Sequence, residues 1–322
     1  LELNQIVKSI QSKQSEISSV YFVGCGGSKA DLYPGFYFLR KNAKKLITGH
    51  FTANEFNYDT PAAVGEHSIV ITCSLGGTTP ETVQATSLAK SLGAHTIAVT
   101  HEPQSPLTND ADYVVTHGFH ESYSAKVSKM TKVLTLAVEI LNAFEGYDAY
   151  DHFIEGVGKI YEVIDDATEL LLPQAKKFGE AYKDAPVIYV MSSGATTEVA
   201  YSFSICLLLE MQWINSSSFS DGEFFHGPFE IVEKDKPFLL LMNEGSTRPM
   251  DSRALEFLNR FDAQTTVVDA KDFGLINYIA EDVIDYFNPI LIEGVLRVFA
   301  EQLAIARNHP LTKRRYMWKL SY

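Results

Sequence analysis

The sequence predicts an α/β protein made of two tandem copies of one parallel-sheet unit. Three observations predict it. "SVYFVGCGGSKA" near the start and "APVIYVMSSGAT" past the midpoint are both β-branched and aromatic runs that end in small residues. "HSIVITCSLGGTTPETVQA" (67–85) is matched by "KPFLLLMNEGSTRPMDSRA" (236–254), and "AHTIAVTHE" (94–102) by "AQTTVVDAK" (263–271), both at an offset of 169 residues. A repeat at a constant offset is the signature of a duplicated unit. The expected division is 1–150 for the first copy and 151–322 for the second.

Each copy alternates short, nearly continuous apolar runs with helical patterns, so its strands are expected to be parallel and covered on both faces. "ETVQATSLAKSLGA" brings Val83, Leu88 and Leu92 near one face and closes on glycine. "MDSRALEFLNRF" does the same with Leu255, Leu258 and Phe261. Residues 125–185 read as mostly helical. Ligands of such sheets bind at the carboxyl ends of the strands, where both copies place their glycine-rich turns.

The 322 residues are 46% hydrophobic and 21% charged, the balance of a soluble globular chain. The net charge of −13 disfavours nucleic acid and anionic membranes as partners. "LELNQIVKSI" shows no signal pattern, and no apolar run approaches a bilayer's thickness. Cys25, Cys73 and Cys206 read as reduced thiols, so the expected compartment is the cytoplasm. No metal site and no cofactor are expected. His117 and His120 lie three apart with no third ligand at a suggestive spacing, and no dinucleotide fingerprint is present.

"TCSLGGTTPET" follows a strand and opens a helix. Ser74, Thr78 and Thr79 supply hydroxyls, and Gly76 and Gly77 let backbone amides approach a ligand. Helix N-terminal amides complete a phosphate cradle. It lacks the lysine of nucleotide-binding loops, so a monophosphate on a small molecule fits better than ATP. Gly27 and Ser28 of "CGGSKAD" add to the same rim. The alternative is an ordinary turn with Thr79 as N-cap and Pro80 at the first helical position.

The apolar run "YSFSICLLLEMQWI" contains one acid, Glu210. Burial of a carboxyl raises its pKa toward the range a proton shuttle needs; the alternative is a solvated helix end. In "DGEFFHGPFEIV" the Gly-Pro pair after His226 restricts the backbone; the alternative for Glu223 and Glu230 is that they hold the loop through its amides.

These residues resemble the sugar isomerase (SIS) family of phosphosugar-binding proteins, in "CSLGGTTPET" and "GEFFHGP". In the isomerase half of glucosamine-6-phosphate synthase a glutamate sixteen positions before that histidine moves the proton between sugar carbons; here that position is Glu210. Through "ANEF", "EMQWI", "EFFHGPFEIV" and "RNHPLTKRRYMWKLSY" the resemblance extends to fructosamine 6-phosphate deglycases of the fructoselysine-6-phosphate type. It implies two SIS-type three-layer α/β/α units, and Glu210 and His226 as catalytic groups. It further implies Gly27, Ser28, Ser74, Gly76, Gly77, Thr78, Thr79, Glu223 and Lys319 around the substrate, a phosphorylated sugar–amine conjugate. A homodimer or larger homo-oligomer with shared active sites follows as well. Leu207 and Gly76 replace a lysine and a serine of the synthase, and no amide-transfer region is legible, which turns the expectation to a deglycase. An aldose–ketose phosphosugar isomerase and a non-catalytic phosphosugar sensor are the alternatives.

Overall fold

A computed structural model describes residues 2–321. The chain forms two compact units, Leu1–Gly158 and Lys159–Tyr322. In the first, strands β1 (Ser19–Gly24), β2 (Ile47–Thr52), β3 (Ser68–Cys73), β4 (His95–Thr100) and β5 (Tyr113–Thr116) form one sheet in the order β2-β1-β3-β4-β5. Every pairing in it is parallel. Its helices are α1 (Leu3–Lys13), α2 (Gly26–Asn42), α3 (Ala53–Tyr58), α4 (Pro80–Ser91), α5 (Tyr123–Lys126) and α6 (Ser128–Phe144). Both α1 and α2 pack on α6, and α3 packs on α4. β1 and β3 are buried along their whole length, which explains their uninterrupted apolar character.

The unit boundary falls within α7 (Tyr150–Tyr182). The second unit has strands β6 (Val187–Ser192), β7 (Asn215–Ser220), β8 (Pro237–Met242) and β9 (Gln264–Asp269), ordered β7-β6-β8-β9 and again all parallel. Helices α8 (Thr197–Ser202), α9 (Arg248–Arg260) and α10 (Ile284–Ala306) accompany them. From β1 to β6 and β2 to β7 the offset is 168 residues, and from β3 to β8 and β4 to β9 it is 169. The two copies therefore share their first four strands in the same spatial order. In each, the order reverses beside the first strand, which opens a crevice at the strand tips.

The helix faces differ from the sequence expectation. α4 buries Thr82, Ala85, Thr86 and Ala89, while Leu92 is 44% exposed. Small side chains let the helix lie close to the sheet, where Ala85 and Ala89 meet Tyr21 and Val70, and Thr86 Oγ1 donates to Thr72 Oγ1 at 2.8 Å. In α9 the buried residues are Asp251, Ala254 and Leu258, and Phe261 lies half outside. Among the described residues no helix is long and apolar enough to cross a membrane.

Gly77 shows how tightly the first turn is built. It has φ +63°, and a Cβ there would lie 1.9 Å from Ser105 Oγ. Gly77→Ala is expected to destabilise the protein by about 1–3 kcal/mol in thermal unfolding. Gly76→Ala, where the nearest atom would be Thr78 Oγ1 at 3.7 Å, serves as the mild control.

Candidate active site

In the first unit β1 and β3 run in register, Gly24 beside Cys73, so the turns that follow them start at one level. Gly26, Gly27 and Ser28 open α2 directly, with Ser28 N–H donating to Cys25 O at 3.1 Å. Ser74 is buried and its hydroxyl shares a hydrogen bond with Thr79 Oγ1 at 2.9 Å. Gly77 N–H donates to Ser74 O at 3.2 Å and closes the turn. Gly76 and Thr78 are exposed at its crest. Thr79 occupies the N-cap position of α4, but its side chain makes no cap hydrogen bond and Pro80 follows. The hydroxyl that would ordinarily satisfy the helix amides is turned to Ser74 instead, which leaves the positive helix end open to an anion.

The second copy treats the equivalent place differently. At the 169-residue offset Asn243 stands for Ser74, Thr247 for Thr78, Arg248 for Thr79 and Asp251 for Thr82. The Asp251 carboxylate accepts from Asn243 N–H at 2.9 Å, from Asn243 Nδ2 at 2.8 Å and from Ser193 Oγ. Arg248 is held by Asp269 through two bonds of 2.7 and 2.6 Å. The second copy thus fills its turn with an internal carboxylate, whereas in the first Ser74 N–H donates to Val99 O at 3.2 Å and the Ser74 hydroxyl bonds Thr79.

Glu210 lies on a π-helical stretch, Phe203–Gln212, whose wider turn follows α8. Its end is marked by Trp213 at φ 57°, whose N–H donates to Leu208 O, five residues back. Phe203, Ser204, Leu207 and Leu208 are buried as the apolar run suggested; Leu209, at 41% exposure, points out. The Glu210 side chain is 23% exposed and forms an ion pair with Arg314 Nη2 at 2.7 Å. Burial raises the Glu210 carboxyl above the ordinary carboxylate range, and the Arg314 guanidinium restrains that rise. The two line a cavity of about 510 Å³ whose wall also includes Trp213, Ile214, Arg315 and Tyr316.

Arg314 is fixed in turn. It donates to Leu311 O at 2.7 Å and Lys313 O at 2.9 Å, and the exposed Lys319 donates from Nζ to Arg314 O at 2.6 Å. Arg315 stacks over the Trp213 ring at 4.0 Å, and Gln212 Nε2 donates to His309 O at 2.8 Å. The basic tail thus straps the helix end that carries Glu210. The sequence marked that tail as basic but gave no sign that Arg314 would be the acid's partner.

In the stretch after β7 the phenylalanines anchor the backbone, Asp221 is buried, and Glu223, His226 and Glu230 are exposed. Phe224 is fully buried and, with Phe225 and Phe229, packs edge-on or tilted around Phe257 at 5.5–5.8 Å. Burial of one such ring is worth about 1.5–3 kcal/mol. Glu223 and His226 are exposed on a short 3₁₀ turn, with His226 N–H donating to Glu223 O at 2.9 Å. Gly227 follows at φ 139°, a conformation closed to residues with a Cβ, and Pro228 fixes the exit. The His226 imidazole makes no hydrogen bond among the described residues.

Replacing Arg314 by Met removes the guanidinium and leaves burial unopposed. The Glu210 titration, followed by carbon-13 NMR of glutamate-labelled protein, is expected to move to higher pH. An unmoved titration would take Arg314 out of the site.

A SIS domain matches residues 15–144. Over 310 residues, 96% of this chain and 94% of its relative, the sequence is 40% identical to fructosamine deglycase FrlB of Bacillus subtilis. It is 24% identical to fructoselysine 6-phosphate deglycase of Escherichia coli, with 94% of this chain and 86% of the relative covered. A crystal structure from Salmonella typhimurium LT2, named as a candidate phosphosugar isomerase, superposes with a TM-score of 0.96 at 43% identity, covering 99% of this chain and 96% of that one. The C-terminal domain of glucosamine-fructose-6-phosphate aminotransferase from Francisella tularensis shares the fold, with a TM-score of 0.80 at 16% identity over 96% of this chain and 93% of that one. With the duplicated parallel sheets and the near full-length similarity both in hand, the chain belongs to the sugar isomerase (SIS) family.

Proposed function

We propose that the protein is a fructosamine 6-phosphate deglycase, converting a fructosamine 6-phosphate such as fructoselysine 6-phosphate and water into glucose 6-phosphate and the free amine. The observation that carries this reading is Glu210, a half-buried carboxyl raised by its surroundings and held in place by Arg314. Such a group can accept a proton from carbon and return it near neutral pH.

The chemistry needs one proton moved between adjacent carbons and then a hydrolysis. Glu210 removes a proton from C1, which carries the amine, while the C2 carbonyl oxygen takes a proton; the product is a 1,2-enaminol. Glu210 then delivers its proton to C2, and the electron pair shifts to make a C1=N iminium. Water adds to C1 and the amine leaves, giving the C1 aldehyde of glucose 6-phosphate. His226 serves the sugar oxygens, in ring opening or in protonation at O2. Ser28, Ser74, Thr78 and Thr79, with the Gly27, Gly76 and Gly77 amides, hold the 6-phosphate; Glu223 and Lys319 complete the substrate contacts. Proton transfer along a sugar requires no cofactor or metal.

The similarity of 40% to a fructosamine deglycase supports the deglycase over the isomerase reading. The exposed, unpartnered His226 ring supports a homodimer or larger assembly in which a neighbouring copy takes up the loop. The acidic net charge supports an enzyme without nucleic-acid partners, and the free thiols of Cys25, Cys73 and Cys206 support a cytoplasmic one.

Glu210→Gln is expected to lower kcat on fructoselysine 6-phosphate by ~10²–10⁴-fold with KM nearly unchanged, since a general acid–base group acts in the transition state. Undiminished kcat would remove Glu210 from the reaction. Light scattering at assay concentration is expected to give a dimer or larger species, and a fully active monomer would remove the shared-site assembly.

A further inference from the structure

At the root of the histidine loop two acids are buried together. Asp221, the first residue after β7, is 3% exposed, and Asp251 on α9 is 0% exposed. Asp221 N–H donates to Ser192 O and the adjacent Ser193 Oγ donates to Asp251, so two consecutive residues at the tip of β6 hold the acids side by side. Two carboxylates cannot share such a place with both charges intact, so one must keep its proton. The donors decide which. Asp251 already accepts from Asn243 N–H, Asn243 Nδ2 and Ser193 Oγ. Neither Asp221 oxygen receives a hydrogen bond among the described residues. The ionised member is therefore Asp251, and Asp221 is the acid that donates to it.

This contact adds a polar link between the loop and α9, which also meet where Phe224, Phe225 and Phe229 pack on Phe257. Asp221 N–H donates to Ser192 O at 2.9 Å, at the tip of β6, while Asp251 stands in the first turn of α9. Glu223 and His226 follow two and five residues later. The geometry points to Asp221 as a positioning residue for the Glu223–His226 loop, acting through a proton shared with Asp251. The role rests on the deglycase reading for its catalytic meaning, but the shared proton is independent of that reading.

Burial, reinforced by the neighbouring Asp251, pushes the Asp221 carboxyl up to about 9 from its ordinary 3.8. The charged groups around the pair are few. Arg248 on α9 acts on Asp251; it is itself paired with Asp269 of β9 and feels Glu244 after β8. An unfolded chain ionises Asp221 above about 3.8, whereas the folded chain keeps it protonated to about 9. The group's contribution to stability is thus complete below the lower value and declines as pH rises through that window.

The test compares wild type, Asp221→Asn and Asp221→Ala. Asparagine keeps a donor toward Asp251 at every pH and carries no ionisation. The difference in Tm, Asp221→Asn minus wild type, is expected to grow steadily between pH 4 and pH 9; a pH-independent difference, or an asparagine variant that does not fold, overturns the shared proton. On fructoselysine 6-phosphate, Asp221→Asn is expected to keep most of kcat and to lose the alkaline limb near pH 9. Asp221→Ala is expected to lose ~10²-fold in kcat with KM within threefold, the cost of a misplaced group, and to show faster amide exchange over 222–232. Equal kcat losses in both variants, or unchanged exchange in a folded alanine variant, overturn the positioning role. An unfolded alanine variant leaves the decision to the Tm difference and the alkaline limb, which need only the asparagine variant. A wild type that releases no amine would refute the deglycase reading and still leave the Tm and exchange measurements to judge the loop.

Discussion

Parallel pairing is the constraint on which the rest of this structure depends. With every strand of a sheet running the same way, all strand tips fall on one edge, and each must be followed by a turn that feeds a helix. The chain therefore cannot avoid building turn after turn of free amides and helix N-termini along that edge. The first copy leaves Ser74, Thr79 and the adjoining amides open there. The second fills the same kind of place with the Asp251 carboxylate, which satisfies the donors from within. Duplication supplied two equivalent rims, and the replacement of Ser74, Thr79 and Thr82 by Asn243, Arg248 and Asp251 in the second gives it an internal carboxylate with its own donors.

Most of the fold was legible because buried parallel strands advertise themselves. β1, β3, β6 and β8 are continuous apolar runs whose repetition at a fixed offset needs no further decoding. The edge strands did not announce themselves. β2, "ITGHFT", and β7, "NSSSFS", are half exposed and rich in Ser, Thr and Gly, so their composition resembles that of a loop. The helix faces misled for a related reason. Along α4 the apolar side chains Val83 and Leu88 are only partly buried and Leu92, just past its end, is exposed, while a row of alanine and threonine is fully buried. Close packing of a helix on a sheet rewards small residues, which a search for large apolar side chains passes over.

At the candidate site, sequence reasoning could find groups that are unusual where they stand. One acid in an apolar run and one histidine before Gly-Pro are anomalies, and anomalies are visible in a single sequence. Partners are not. Arg314 is one of several cations in a basic tail, and nothing local distinguishes it from Lys313 or Arg315. Only the folded chain shows that Arg315 lies on Trp213 while Arg314 turns inward to Glu210. Asp221 and Asp251 were equally hidden, since each alone reads as a surface carboxylate at a helix or strand end. Their meaning arises from a meeting across β6, β8 and α9 that no spacing rule encodes.

The distance in sequence between Glu210 and its guanidinium partner orders events during synthesis. On the ribosome the acid emerges with its helix and waits while 103 further residues are made before Arg314 appears. Until then nothing from the tail shields that carboxyl or fixes its rotamer. A nascent or prematurely terminated chain can complete both sheets and still lack the ion pair that fixes the Glu210 carboxyl.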